Sequence, residues 1–205
     1  ISIGAIRIYD FKTLELIKAI KAHKNVVIDL DFSPDGKYLV SSGIKGDAIN
    51  IWNTSDFSHK NKIDIDSTII KLKIAKVEQK YKIFTISMDN YIKLYDLNSA
   101  ELIKDHFIGF SLVGLAITKN EIVVGTQKFR YIEFFNFDLT KIDKIDFRKP
   151  IFSMDYSADG RYLGVTTGRR GGVSVFDRYK NNKQIATINK NDYITSSIKF
   201  LDKSK

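Results

Sequence analysis

At 205 residues and 43% hydrophobic content, the chain has enough material for one large domain or two small ones with a sizeable core, which excludes a disordered tail. With no cysteine there is neither a disulfide framework nor a thiolate metal site; this fits a reducing compartment, so the cytoplasm is the expected location and the nucleus the alternative. The formal net charge of +9 favours acidic partners, nucleic acid or an anionic surface, with compositional drift in a Lys-, Asn- and Ile-rich chain as the competing explanation.

No apolar run reaches the ~20 residues of a membrane span, and the start ISIGAIRIYD lacks a basic region followed by an apolar one. Ile1 in place of Met points to processing, trimming or a piece of something longer. The predicted elements, in chain order, are short strands parted by turn chemistry. AIRIYD closes the first at Asp10. NVVIDLDFS then reads as a strand, PDG as a turn, KYLVSS as a strand, GIKGD as a turn and AINIWN as a strand ending at Asn53. YIKLYD ends at Asp96 and YIEFFN at Asn136. IFSMDYS, ADG, RYLGVTT, GRRG and GVSVFD repeat the whole set up to Asp177, and a last strand is expected over Tyr193–Leu201.

The five endings share one form, alternating apolar residues, an aromatic, then Asp or Asn, and they recur roughly every forty residues, a period typical of repeat architectures. The expected organisation is a single incomplete domain over 1–205, with repeat units 11–53, 54–96, 97–136 and 137–177 and partial strands in 1–10 and 178–205. A β-sandwich or a closed barrel is the alternative to a stack of repeats. Runs such as NVVIDL and EIVVG are apolar more continuously than a one-sided sheet requires, as expected of strands buried on both faces.

In AHKNVVIDLDFSPDGKYLVSSG, followed by IWN, the sequence resembles the WD-repeat family of β-propellers, with AH for the usual GH and IWN for the WD ending. The resemblance implies an all-β fold of four-stranded antiparallel blades. Four units are complete and the terminal ones partial, so the chain is expected to be a fragment of a seven-bladed propeller. The family's structural hydrogen-bond chain falls on His23, Ser41 and Trp52, but Lys45 sits where the turn Asp belongs, so the chain of bonds is expected to be broken there. Asp89 holds that position in the next unit, which has no His.

Candidate chemistry is sparse. His23, His59 and His106 show no i, i+4 pair, so no metal site is expected; His59 and His106 read as solvated positions near outer strands or loops. There is no GxSxG elbow and no GxxxxGK[ST] loop, and GRRGG lacks both the spacing and the helix a dinucleotide needs, so neither an enzyme nor a cofactor is expected. Asp29 and Asp31, loosely repeated as Ser153 and Asp155, lie on one side of a strand and read as polar positions near a channel rather than a general acid and base.

Surface charge remains. In an up-and-down blade the turn after the second strand and the link between blades emerge on one rim. That rim gathers Lys21, Lys24 and Lys45, then Asp64, Asp66, Asp89 and Asp105, then a basic arc of Lys128, Arg130, Arg148, Lys149, Arg169, Arg170 and Lys190. Glycines flanking Arg169 and Arg170 suit an anion-binding concavity, and arginine holds carboxylate or phosphate bidentately; loop-tip cations that are merely solvated are the competing reading.

The expected function is a non-catalytic scaffold binding partner proteins through that arc, the partner contributing an acidic segment. Phosphoinositide membranes are an alternative, since GAIRIYDFKTLELIKAIKAHKN is similar to the PROPPIN subgroup, although KNKIDIDS stands where its arginine pair belongs. Exchange-factor propellers for a small GTPase in vesicle coat assembly are another, on KAHKNVVIDLDFSPDGKYL and SMDYSADGRYLGVTT. Nucleic acid ranks last: it rests on charge and on aromatics near basic turns such as Phe129 with Arg130, but single-strand binding needs exposed rings and most rings here fall at strand positions expected to be buried.

Overall fold

The computed structural model describes residues 3–128, 130–167, 172–188 and 197–201. Phe129, the GRRG turn with Arg169 and Arg170, Lys190 and the first part of the expected strand Tyr193–Leu201 lie outside the described residues. The strands group into two compact units, Ile1–Asp105 and His106–Lys205.

In the first unit, β1 (Ala5–Tyr9) and β2 (Leu16–Lys21) form a two-stranded sheet. A second sheet holds β3 (Asp29–Phe32), β4 (Tyr38–Ser42), β5 (Ala48–Asn53) and β6 (His59–Asp64) in that order. The third holds β7 (Ile69–Val77), β8 (Lys80–Ser87), β9 (Tyr91–Asp96) and β10 (Leu102–Phe107), whose last strand runs through the boundary. In the second unit, the fourth sheet holds β11 (Leu112–Ile117), β12 (Ile122–Thr126), β13 (Tyr131–Phe135) and β14 (Lys141–Asp146). The fifth holds β15 (Ser153–Tyr156), β16 (Tyr162–Thr166), β17 (Val173–Asp177) and β18 (Lys183–Ile188). The four-stranded sheets are meanders of consecutive strands. The endings at Asn53, Asp96, Asn136 and Asp177 fall at the close of third strands and that at Asp10 at the close of β1, and the outer strand that follows each comes from the next repeat.

Local chemistry explains why the same turns recur. Between β3 and β4, Ser33 Oγ donates to Asp35, the Tyr38 amide donates to Ser33 Oγ, and Gly36 takes the left-handed backbone (φ +72°) that glycine tolerates. Ser157, Asp159, Gly160 and Tyr162 repeat this set between β15 and β16. After β1, β9, β13 and β17 the ending residue caps the next turn: Asp10 accepts from the Lys12 and Thr13 amides, Asp96 from Asn98 and Ser99, Asn136 from Asp138 and Thr140, and Asp177 from Tyr179, whereas Asn53 donates its side-chain amide to Ser58 and Asp56 accepts the Ser58 amide. At those four endings the Asp or Asn is therefore a turn cap.

Within each unit first strands of neighbouring sheets lie side by side, β3 beside β7 and β11 beside β15. Strands between two sheets lose both faces to packing, so β4 is buried from Leu39 through Ser42 and β12 along its whole length, while outer strand β18 is exposed throughout. The cores follow. Val40, Ile49 and Ile51 meet Leu72, Ile74 and Ile83 in the first unit, and Val123, Ile132 and Phe134 meet Met154, Leu163 and Phe176 in the second. Residues 197–201 continue the series against β16, where Ile198 and Phe200 occupy the space a side chain at Gly164 would need.

Candidate functional site: interblade seams and a basic corner

The paired aspartates on β3 point at the next sheet. Asp29 accepts the Leu72 amide at 2.9 Å and Asp31 the Ile74 amide at 3.0 Å, with Lys71 and Lys73 ammonium groups 3.5 and 3.3 Å from the same carboxylates. Asp155 on β15 repeats this with the Phe200 amide at 2.8 Å and Lys199 at 3.3 Å. First strands lie too far apart to form a ladder, so a side-chain acceptor takes the N–H that the ladder leaves open. These carboxylates are fully engaged as fasteners between sheets.

His23 is buried and bonded at both ring nitrogens. Ser41 Oγ lies 2.8 Å from Nε2, Asp47 lies 3.3 Å from Nδ1, and the Trp52 indole donates to Ser41 Oγ at 3.1 Å. The expectation of a break at Lys45 is corrected: Asp47, two residues on, reaches the ring, and it also accepts from the Lys24 and Ala48 amides. The turn is long enough for the carboxylate to arrive from its far end, while the Lys45 amide donates to Thr68. His59 is likewise not simply solvated, since its ring packs edge-on against Trp52 with centroids 5.1 Å apart and bonds Asn50.

In the third sheet the same positions hold different chemistry. Asp89 accepts from Ser87 and from Lys93 Nζ, which also lies 3.8 Å from Asp66. Thr85 stands where Ser41 stands in the second sheet and Tyr95 where Trp52 stands. The Thr85 hydroxyl is buried without a hydrogen-bond partner.

Within the second unit, further fasteners are invisible to local pattern. Arg178 grips Glu121 with two 2.8 Å bonds, reaches Asp143 at 2.7 Å, and lies 4.1 Å over the Phe134 ring; the Tyr156 hydroxyl donates to Glu121 at 2.7 Å. Burial, and the Glu121 charge beside it, push the Tyr156 hydroxyl well above the usual phenol range. In the first unit a hydrogen bond with Tyr81 holds Asp35 below the usual carboxylate range, and Tyr81 itself is pushed up to about 12.

Of the predicted basic arc, Lys128, Arg130, Arg148 and Lys149 are described. Arg130 immediately precedes β13 and Arg148 follows β14, so the two neighbouring strands bring them to one corner. Both adopt left-handed backbone, φ 58° and 59°. The Arg130 carbonyl accepts the Phe147 and Arg148 amides at 3.1 and 3.2 Å, and the Arg130 guanidinium donates to the Arg148 carbonyl at 3.0 Å. Arg148 also bonds Asp146 at 3.0 Å while its side chain stays 83% exposed. In the first unit a cavity of about 410 Å³ at the His23 rim is lined by Lys21, Lys24, Asp47, Asn50, Lys62 and Asp64 among others. Among the described residues no cluster of His, Asp and Glu could hold a metal ion, and no helix is long and apolar enough to cross a membrane.

Four-stranded meanders whose first strands lie side by side, fastened by buried side chains, define blades of the β-propeller kind. Residues 14–53 match the family described as WD domain, G-beta repeat. Over 125 residues the chain is 31% identical to WD repeat-containing protein 1 of Bos taurus, a match covering 57% of this chain and 20% of that protein. The chain thus spans a fifth of the length of the curated relative it matches, and its 14–53 segment carries the WD repeat that the family model describes.

Proposed function

We propose that the chain is a non-catalytic interaction module that binds an acidic segment of a partner protein at the corner formed by Lys128, Arg130, Arg148 and Lys149. WD repeats indicate a protein-interaction scaffold in general. The observation that carries the finer reading is the Arg130–Arg148 lock. Left-handed backbone costs a residue with a side chain on the order of 1 kcal/mol or more, and here it is held by backbone hydrogen bonds, with the Arg130 guanidinium tied to the Arg148 carbonyl and the Arg148 guanidinium to Asp146.

A pre-positioned arginine pair loses little freedom on binding and suits a carboxylate-bearing partner. Arg169, Arg170 and Lys190 join the proposal by sequence alone. A Glu-rich peptide carrying a photoreactive group tests the location: crosslinks are expected within residues 128–149, and labelling confined to other segments would remove the corner from the account.

A further inference from the structure

The cavity at the His23 rim lies between two sheets of the first unit. One wall is the end of β2 with the link that follows, carrying Lys21 and Lys24. The other is the turn into β5, the start of β5 and the end of β6, carrying Asp47, Asn50, Lys62 and Asp64. The buried part of this lining is already bonded. Asn50 donates to the Ala22 carbonyl at 2.9 Å and its side-chain oxygen lies 3.1 Å from His59 Nε2, while Asp47 serves the His23 ring and the Lys24 amide. The Ala22 and His23 amides both donate to the Gly4 carbonyl, at 2.9 and 3.0 Å, so the backbone between Lys21 and Lys24 is fixed before anything binds.

The exposed charges of the cavity do not balance. Lys62 Nζ lies 2.9 Å from Asp64 and is offset by it. Lys21 and Lys24, both exposed, form no ion pair among the described residues, and the Asp47 carboxylate is taken up by two amides and the His23 ring. A carboxylate would neutralise one of the two ammonium groups. A phosphate monoester carries about −1.5 to −2 at neutral pH and neutralises both, and lysine meets phosphate as a point charge without the fork geometry of arginine.

The rest of the lining fits a particular body for that phosphate. The volume of about 410 Å³ falls in the small-molecule range of roughly 300–1,000 Å³, of which a phosphate group alone fills on the order of 150 Å³. Apart from the buried His23 ring, no aromatic or long aliphatic side chain among the described residues lines the space, so a nucleobase or an acyl chain finds nothing to stack or pack on. Lys62 and Asp64, an exposed donor beside an exposed acceptor, suit hydroxyl groups.

We propose that this cavity binds the phosphate monoester of a small polyhydroxylated molecule, with Lys21 and Lys24 on the phosphate and Lys62 and Asp64 on the hydroxyl groups. Soluble sugar phosphates and the phosphorylated inositol headgroups of membrane lipids share that chemistry. The site belongs to the first unit and stands without the Arg130–Arg148 corner of the second.

Calorimetric titration of the 205-residue chain at low salt tests it, with glucose-6-phosphate, inositol-1-phosphate, inorganic phosphate, glucose and glucuronate as probes. The better of the two phosphorylated polyols is expected to bind more tightly than inorganic phosphate and at least roughly tenfold more tightly than glucuronate, with no binding of glucose. Lys21→Gln and Lys24→Gln should each weaken that affinity roughly fivefold to tenfold while leaving Tm within about 1 °C, since both side chains are exposed. The Arg148→Glu, Lys149→Glu double reversal should leave it unchanged. Vesicles carrying a phosphatidylinositol monophosphate separate the two sources. Co-sedimentation that Lys24→Gln abolishes and the soluble phosphates compete away assigns a lipid headgroup, and none, with the soluble phosphates still bound, assigns a free sugar phosphate. No saturable binding of either phosphorylated polyol, equal affinity for glucuronate, full affinity in both lysine variants, or loss in the double reversal overturns the proposal.

Discussion

Asp31 of β3 accepts the backbone N–H of Ile74 in the next sheet at 3.0 Å. The bond ties two first strands that share no ladder, and Asp155 makes its counterpart to Phe200. Removing the acceptor leaves a half-buried N–H unpaired. Asp31→Ala should therefore cost about 1–3 kcal/mol, a Tm loss of about 2–4 °C for each kcal/mol in a chain of this size. Asp31→Asn, which keeps an acceptor oxygen but loses the Lys73 ion pair, should cost less. Thermal melts of the two variants decide, and equal losses would mean that charge rather than the amide bond holds the seam.

The His23 network predicts a pH step. Burial pushes the imidazole below its ordinary value near 6.5, with the hydrogen bond and charge of Asp47 pulling the other way. The unfolded chain therefore binds the proton more readily. The His23 contribution is fully present above about pH 6.5, is lost as pH falls from there toward the folded value, and levels off below it. Melts between pH 8 and 5 should show this step in the wild type and not in His23→Gln. Asp47→Ala, which removes an acceptor from two amides and the ring, should cost about 2 kcal/mol or more at neutral pH.

Thr85 and Ser41 occupy one position with opposite bonding. Ser41 serves His23 and Trp52, whereas the buried Thr85 hydroxyl has no partner. Thr85→Val keeps the shape and removes the unpaired polar group, so it should stabilise by about 1 kcal/mol. Ser41→Ala should destabilise by a similar amount. Denaturant midpoints at constant m-value check both signs.

How far the sequence could be read follows from the range of each interaction. The Asp10, Asp96, Asn136 and Asp177 endings, and the Ser33 and Ser157 turns, bond within a few residues, so repetition along the chain exposes them. Trp52, Ser41 and His23 are further apart and came only through resemblance. Asp47 was missed because turn length, not residue type, decides which side chain reaches His23. Asp29, Asp31 and Asp155 were seen as a pattern but not as fasteners, since their partners lie over forty residues away. Nothing local marks Glu121, Tyr156 and Arg178 as one cluster.

That cluster carries its own expectation. Arg178→Met would leave Glu121 mostly buried without its ion partner, and breaking such a pair from one side costs about 3–5 kcal/mol. Tyr156→Phe, which removes one of several donors to Glu121, should cost nearer 1 kcal/mol. Comparable losses in both variants would mean that the Arg178 ion pair holds Glu121 no more strongly than the Tyr156 hydroxyl does.

We propose that the Arg130–Arg148 corner binds acidic protein segments. Its most direct test is the Kd of a Glu-rich peptide for the wild type and for the double charge reversal Arg148→Glu, Lys149→Glu, measured at two salt concentrations. The corner predicts binding that weakens with salt and falls roughly tenfold or more in the reversal, with the melting curve lowered by only a few degrees at most, because both side chains are exposed and the Arg148–Asp146 pair that is lost is a surface one. Equal affinity for wild type and reversal would contradict it.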